Sequence, residues 1–137
     1  LVVANGFEDN AFFGELMSTL AKSKGVEGTI IDGCTRDKLE TIKMKYPIFA
    51  KKNMARDIKK RGIVDKIDIE STKIGKTTIR KGDYLLGDLD GVIVIPKGIL
   101  NETIKKSLEI FENEKSIKEA IIKGQSVKNL LDNFGEF

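Results

Sequence analysis

The chain has 137 residues, with 24 basic and 21 acidic side chains, a net charge of +3 and a hydrophobic fraction of 40%, which allows a packed core. The near balance of charge excludes a chain kept disordered by self-repulsion. It also argues against a dedicated nucleic-acid binder, because no cluster of Arg and aromatic residues accompanies the Lys excess. The absence of His and the single Cys34 exclude a Ser-His-Asp triad, a His-containing zinc site and an intramolecular disulfide.

The compartment that fits a single cysteine is a reducing one, so we expect a cytoplasmic protein. No apolar run approaches the roughly 20 residues that cross a bilayer, and we expect no membrane partner. The sequence begins without Met inside a strand-like run, and we expect a further segment before Leu1.

The first part of the chain alternates predicted strands and helices. Strands are predicted over residues 1–5, 28–32 and 47–50, a polar loop over 6–10, and helices over 13–24 and 36–45. The apolar positions expected to face the core are Phe13, Leu16, Met17, Leu20 and Ala21 in the first helix, and Leu39 and Ile42 in the second. Gly33 is predicted to turn the chain. This order implies a parallel sheet with right-handed crossovers.

The middle of the chain changes to short β segments separated by turns. A basic, irregular stretch covers residues 51–62. Strands are then predicted over 65–71, 77–80, 84–87 and 92–95. The basic stretch could contact phosphates, but a solvated basic face is the alternative that we favour, since no aromatic residues interleave with it.

The end of the chain is predicted to be helical. Asn101 would cap a helix that starts at Glu102, and Gly124 would end it. Its apolar positions are Ile104, Leu108, Phe111, Ile117, Ile121 and Ile122. Ser126 would cap a last short helix that Gly135 follows.

A cluster with chemical potential lies where the second predicted strand gives way to a helix. Arg36 supplies a planar fork that suits a carboxylate, and Asp37 is placed to reach a hard cation. Ligands bind at the carboxyl ends of parallel strands, which favours this position. The same residues also fit a plainer interpretation, in which Asp37 is a first-turn helix acid and Arg36 is solvated.

A second cluster, Phe13-Gly14-Glu15-Leu16-Met17, opens the first predicted helix. Exposed N–H groups at such a position bind anions, and Glu15 could orient a water. An ordinary amphipathic helix is the alternative. A third group, Asp83, Asp88 and Asp90, resembles calcium ligands, but these acids fall at strand ends and turns, where Asp is expected anyway.

Together these segments resemble the RraA-like family. That family includes the class II 4-hydroxy-4-methyl-2-oxoglutarate aldolases and the regulator of ribonuclease E activity. The aldolases also decarboxylate oxaloacetate. The matching segments are FGELM at 13–17, GTIIDGCTRDKLE at 28–40, YPIFAKK at 46–52 and KGDYLLGDLDGVIVIP at 81–96. The resemblance implies an α/β fold, a three-layer α/β/β sandwich of the swivelling-domain type with a mixed sheet and C-terminal helices. It also implies a single domain over residues 1–137 that lacks an N-terminal segment.

The aldolase branch is marked by a Gly-acid-Leu-Leu stretch, an Arg-Asp pair and an acid three residues beyond the Asp. The matching residues here are Gly14, Glu15, Leu16 and Met17, then Arg36 and Asp37, then Glu40, with Met17 in place of a Leu. The resemblance implies that backbone N–H groups of the first four residues hold substrate oxygens. Arg36 would bind the carboxylate or keto oxygen of the pyruvyl group. Asp37 would ligate a divalent cation, Mg²⁺ or Mn²⁺, and Glu15 would help to activate a metal-bound water.

The resemblance also implies an assembly, a homotrimer or hexamer with its sites between subunits. Lys59 or Lys60 of the basic stretch would join the site. So would Glu112 or Glu114, from a neighbouring subunit.

The implied function is a metal-dependent lyase for a small keto acid. It would cleave a 4-hydroxy-2-oxo acid to pyruvate, decarboxylate oxaloacetate, or do both, through a metal-stabilised pyruvate enolate. The alternative is a non-catalytic interaction module that regulates an RNA-degrading enzyme. Asp37 favours the enzyme, because the regulator branch typically lacks the Asp after the Arg.

Overall fold

The computed structural model describes residues 1–4 and 8–136, in two compact units, Leu1–Val94 and Ile95–Phe137. The strands are β1 (Val2–Val3), β2 (Ala11–Phe13), β3 (Thr29–Thr35), β4 (Ile48–Asn53), β5 (Ser71–Ile74), β6 (Thr77–Arg80), β7 (Tyr84–Gly87) and β8 (Val92–Ile95). The helices are α1 (Glu15–Ser23), α2 (Lys38–Lys43), α3 (Leu100–Ile122) and α4 (Val127–Phe134), with a 3-10 turn at Lys97–Ile99. The predicted α/β class with C-terminal helices is confirmed.

The largest sheet of the first unit is parallel, and β3 is its central strand. β4 lines one edge of β3, whereas β1 and β2 follow one another along the other edge. The paired residues include Val2 with Ile30, Ala11 with Cys34, Phe13 with Thr35, and Thr35 with Asn53. Because the strands are parallel, β2, β3 and β4 all end at the same side of the sheet.

The core of this unit is built on two aromatic rings. Phe13 of β2 and Tyr46 stack with centroids 6.4 Å apart, and they pack with Ala21 and Ile31. The hydroxyl groups of Tyr46 and Thr29 form a buried hydrogen bond of 2.7 Å. Burying a large apolar side chain of this kind contributes about 1.5–3 kcal/mol, so Phe13 stabilises the packing of β2 in the core.

The structure corrects the first predicted helix. Phe13 is a strand residue, and α1 begins two residues later, at Glu15. The face of α1 that is buried carries Ser18 and Ala21, whereas Leu16 is 79% exposed. Met17 and Leu20 are also exposed, so the predicted apolar face is wrong for these three residues. Phe13, supplied by the strand, occupies the core position that the helix was expected to fill.

The second helix departs from its prediction in the same way. α2 is shorter than expected, and it buries Thr41. Leu39 and Ile42, predicted to face the core, are exposed. A short helix of six residues therefore covers little apolar surface here.

The two predicted strands at the beginning of the chain are partly corrected. β3 continues through Gly33, the predicted turn, because a register shift between Ile31 and Cys34 accommodates one extra residue of β3 as a bulge. Cys34 is fully buried. β1 covers Val2–Val3 and is half-buried, while positions 5–7 of the predicted strand and loop lie outside the described residues.

The short β segments agree more closely with the sequence. The predicted bounds of β6, β7 and β8 are confirmed. The strand predicted over residues 65–71 is wrong, since β5 starts at Ser71 and pairs antiparallel with β6. Parallel and antiparallel pairing thus occur in different sheets of the described residues.

The second unit consists mainly of α3 and α4. α3 begins at Leu100, so Asn101 is not its cap, and Ile117 is its largest buried apolar residue. The other apolar positions predicted to face inward are exposed: Ile104, Leu108, Phe111, Ile121 and Ile122. The Ser126 cap is confirmed, since its Oγ accepts the Asn129 N–H at 3.2 Å. Across the described residues, no helix pairs the length with the apolar character that spanning a bilayer requires.

An ion cluster ties the segment before β2 to the sheet. Lys51 of β4 places its Nζ 2.8 Å from Asp32 Oδ1 on β3 and 3.0 Å from Glu8 Oε1. The Asp32 side chain is only 13% exposed, so the ammonium group is what balances its charge. The Cys34 thiol donates to the Glu8 carbonyl at 2.9 Å.

We expect this cluster to make the free energy of unfolding fall as the pH rises in the alkaline range. The contact with Asp32, followed by that with Glu8, raises the pKa of Lys51 from 10.5 to about 12. A folded-state pKa above the unfolded value means that the contribution is complete below pH 10.5 and is lost as the pH rises through about 12. Urea unfolding across this interval should show a steeper loss of stability for the native chain than for Lys51→Met. Equal slopes would contradict the prediction.

Candidate active site

Two strand-to-helix junctions lie side by side in the first unit. One joins β2 to α1 through Gly14, and the other joins β3 to α2 through Arg36 and Asp37. The Phe13 carbonyl holds them together, since it accepts the Arg36 N–H at 2.9 Å and the Thr35 hydroxyl at 3.0 Å. The parallel pairing of β2 with β3 therefore places the start of α1 beside the Arg-Asp pair.

Asp37 connects the two junctions through its side chain. Its backbone has a positive φ of 56°, a conformation that Asp tolerates better than most residues. Its carbonyl accepts the Glu40 and Thr41 N–H groups and so starts α2. Its Oδ2 instead accepts the Glu15 N–H of α1 at 3.0 Å. Asp37 thus caps the neighbouring helix and makes no side-chain cap to its own, which differs from the plainer sequence interpretation.

Gly14 is required by the close approach of this carboxylate. A Cβ at Gly14 would collide with Asp37 Oδ2 and would lie 2.9 Å from Arg36 Cγ. The φ of −161° is extended backbone that any residue adopts, so the need is for space. The glycine of the Gly-acid-Leu-Leu stretch therefore makes room for the Arg-Asp pair.

We expect Gly14→Ala to displace Asp37 and to lower the proposed activity at least tenfold, since small misplacements of reacting groups are costly. The loss of thermal stability should be modest, because the backbone conformation suits Ala. Steady-state kinetics and thermal unfolding would measure the two effects. Gly98→Ala is the matched control, because a Cβ there meets nothing within 4 Å. Full activity of Gly14→Ala would contradict the argument.

Arg36 is held between two carboxylates. Its Nε lies 3.4 Å from Asp37 Oδ2, and its Nη1 lies 3.8 Å from Asp57 Oδ2. Neither contact involves Nη2. The side chains of Arg36 and Asp37 are each 37% exposed, so solvent and ligands reach both groups.

A cleft of about 320 Å³ adjoins this pair. Its lining residues are Arg36, Asp37, Lys38, Asn53, Met54 and Ala55. The last three, which are the final residue of β4 and the two residues that follow it, were not predicted as site residues. The signal was available, because β4 ends beside β3, and ligands bind at the carboxyl ends of parallel strands.

The remaining residues of the first helix turn are exposed at this end of the sheet. The N–H groups of Leu16 and Met17 belong to the first turn of α1, where no intrahelical acceptor exists. The side chains of Glu15 and Leu16 are exposed. The structure therefore brings Gly14, the α1 N-terminus, Arg36 and Asp37 together.

Other predicted residues are not brought into this group. Glu40 forms an ion pair with Lys43 at 2.8 Å. Lys59 and Lys60 are exposed in the loop after β4, and the Lys59 N–H donates to Asp57 Oδ1. Glu112 and Glu114 lie on α3 in the second unit, so their part in a site between subunits stays a prediction.

The third group of acids, Asp83, Asp88 and Asp90, lies at turns, and its central residue has a structural role. Asp88 Oδ1 accepts the Asp90 and Gly91 N–H groups, which is the expected behaviour of Asp in a turn. Within residues 1–4 and 8–136, no three His, Cys, Asp or Glu side chains are grouped as a complete metal-binding set.

Fold and site together define an α/β protein with an arginine, a carboxylate and a helix N-terminus at the carboxyl ends of parallel strands. The chain belongs to the RraA-like family, described as Aldolase/RraA, whose model matches residues 1–94. The matched region coincides with the unit that contains the candidate site. The resemblance seen in the sequence is confirmed.

Relatives match most of this chain. The chain is 37% identical to "Uncharacterized protein MJ0644" of Methanocaldococcus jannaschii, over 96% of this chain and 62% of the relative. It is 32% identical to a Halalkalibacterium halodurans protein named "Putative 4-hydroxy-4-methyl-2-oxoglutarate aldolase", over 89% and 59% of the two chains. A crystal structure of an uncharacterized Pseudomonas syringae pv. tomato protein superposes with a TM-score of 0.86 at 28% identity, over 94% and 64%. The chain thus spans about three-fifths of the length of these relatives.

Proposed function

We propose that this protein is a carbon–carbon lyase that cleaves a 4-hydroxy-2-oxo acid to pyruvate, decarboxylates oxaloacetate, or does both. The observation that carries the proposal is the placement of Arg36 and Asp37 against the first turn of α1, beside an open cleft. The name of the Halalkalibacterium halodurans relative points to the same class of reaction.

Arg36 is the group that would bind the substrate carboxylate. A guanidinium presents several N–H donors in a fixed plane, and an ion pair of this kind orients a keto acid as well as attracting it. The N–H groups of Leu16 and Met17 would receive a second substrate oxygen, since the N-terminus of a helix favours negative charge. Binding at two points fixes the bond to be broken relative to the protein.

Asp37 is the residue that would hold a divalent cation. Both of its contacts among the described residues use Oδ2, so Oδ1 is the oxygen placed to act as a ligand. Mg²⁺ usually keeps several waters and takes one or two protein carboxylates, and Mn²⁺ prefers similar oxygen ligands. A lone Asp fits that pattern. The cation would supply a Lewis acid for the negative charge that develops on the keto oxygen.

Glu15 is our candidate for proton transfer. Its side chain is exposed, and its N–H is fixed by Asp37, so the carboxylate starts from the same helix turn that would hold the substrate. It would help to remove the hydroxyl proton as the carbon–carbon bond breaks. This assignment needs no His, which the chain lacks.

The proposal is tested by measuring pyruvate release from oxaloacetate and from 4-hydroxy-4-methyl-2-oxoglutarate. We expect release with Mg²⁺ or Mn²⁺, its loss on chelation, and its return when the cation is restored. Divalent cations alone decarboxylate oxaloacetate, so release from both substrates no faster than in protein-free solution with the same cation would overturn the proposal. If the protein then binds an RNA-degrading enzyme, and Asp37→Ala leaves that binding unchanged, the regulatory alternative is favoured.

A further inference from the structure

Asp57 is a carboxylate of the first unit to which the sequence argument gave no role. It lies in the loop after β4, and its Oδ2 is 3.8 Å from Arg36 Nη1. Its side chain is 39% exposed.

Several contacts hold Asp57 in place. Its Oδ1 accepts the Lys59 N–H and an Arg61 N–H, both at 3.1 Å. Its backbone pairs with Ala11 of β2 in a parallel bridge. The Asn10 amide, oriented with its nitrogen toward acceptors, donates to the Asp57 carbonyl at 3.2 Å. A carboxylate anchored at both backbone and side chain can orient a mobile partner.

The two oxygens of Asp57 are divided between two arginines. Oδ1 contacts Arg61, whereas Oδ2 faces Arg36. Because Arg61 balances part of the carboxylate charge, Asp57 can restrain the Arg36 guanidinium without cancelling its attraction for an anion. Asp37 approaches the same guanidinium from the Nε side. Two carboxylates on different nitrogens therefore restrict the rotation of the plane.

We propose that Asp57 is a positioning residue that holds the Arg36 guanidinium in the orientation needed to bind a keto-acid carboxylate. The inference rests on the proposed function for its kinetic consequence, but not for the restraint on Arg36. Asp57 is not the residue proposed to hold the cation, so it restrains Arg36 whether or not Asp37 binds a cation.

The kinetic test compares Asp57→Asn, Asp57→Glu and the native protein with oxaloacetate as substrate. Asn keeps an acceptor for the Lys59 N–H, so folding should be preserved. We expect Asp57→Asn to raise KM roughly twofold to fivefold, the range for a partly exposed ion pair, with little change in kcat. Asp57→Glu should restore part of the loss. Asp68→Asn, which removes a carboxylate paired with Lys81, should change neither constant.

A second variant separates positioning from a general structural effect. In an Arg36→Lys background the two-sided restraint is already lost, so adding Asp57→Asn should raise KM no further. If Asp57→Asn raises KM by the same factor in the Arg36→Lys protein as in the native protein, the inference is overturned. A fall in kcat and thermal stability with KM unchanged would also overturn it.

An activity-independent measurement follows the Arg36 Nε–H signal by NMR, assigned by its disappearance in Arg36→Lys. We expect faster solvent exchange of this proton in Asp57→Asn and no change in Asp68→Asn. Faster exchange in a protein without lyase activity would support the positioning role and defeat the proposed function. Unchanged exchange and unchanged KM in an active enzyme would defeat the positioning role alone.

Discussion

Asp37→Asn should reduce the proposed lyase activity by about a thousandfold, the effect of losing several kcal/mol of charge stabilisation. Asn has nearly the same shape, tolerates the positive φ of 56°, and keeps an oxygen that can accept the Glu15 N–H. The change therefore removes the negative charge that would hold a cation while leaving the connection between the two junctions. We expect stability to change by less than about 1 kcal/mol, the usual scale of a helix cap.

One further measurement and one control variant make this result specific. Mn²⁺ affinity, followed by electron paramagnetic resonance, should fall together with turnover. Asp90→Asn is the control, because Asp90 is an exposed turn residue that does not line the cleft. If Asp37→Asn keeps native turnover, Asp37 does not have the role that we assign to it. Lost turnover with native Mn²⁺ affinity would place its role elsewhere than in holding the cation.

Arg36→Lys should lower kcat/KM about a hundredfold, mainly through KM, because a charge-assisted hydrogen-bonding pair contributes about 1.5–3 kcal/mol. Lys keeps the positive charge but has no planar fork. A single ammonium cannot reproduce the Nε contact with Asp37 and the Nη1 contact with Asp57. The loss would therefore measure geometry more than charge.

Calorimetric titration with pyruvate, alongside steady-state kinetics, separates weaker binding from slower chemistry. Arg80→Lys on β6 is the matched control, since Arg80 is exposed and outside the cleft. Native KM and native pyruvate affinity in Arg36→Lys would exclude the guanidinium as the carboxylate-binding group.

Helix ends in the second unit were predictable because their signals are local. Ser126 satisfies an N–H three residues away, and Gly124 and Gly135 adopt positive φ values of 79° and 76°. The start of α3 was missed because Asn101 suggests a cap, whereas the 3-10 turn before it already leads into the helix. Local chemistry identifies a terminus only when no preceding turn competes for it.

The candidate site was predictable in part. The Arg36-Asp37 pair follows an apolar strand, and that position pointed to ligand chemistry. The sequence could not reveal that Asp37 caps α1, because its partner Glu15 is 22 residues away and becomes a neighbour only through the pairing of β2 with β3. Asp57 was missed for the same reason, since its contact with Arg36 depends on how the loop after β4 meets β2.

The composition, most of the order of strands and helices, and the residues proposed to bind a keto acid are properties of the sequence, because each depends on residue type or short-range spacing; β2 is the strand that the sequence analysis missed. Which face of a helix is buried is not determined by the sequence pattern alone. Apolar spacing predicted that Leu16, Leu20 and Ala21 face the core; Ala21 does, but Ser18 is buried in place of the two leucines. Only the tertiary structure decides this, because Ala21 packs in one cluster with Phe13 and Tyr46, and its small side chain lets α1 lie close to the two rings.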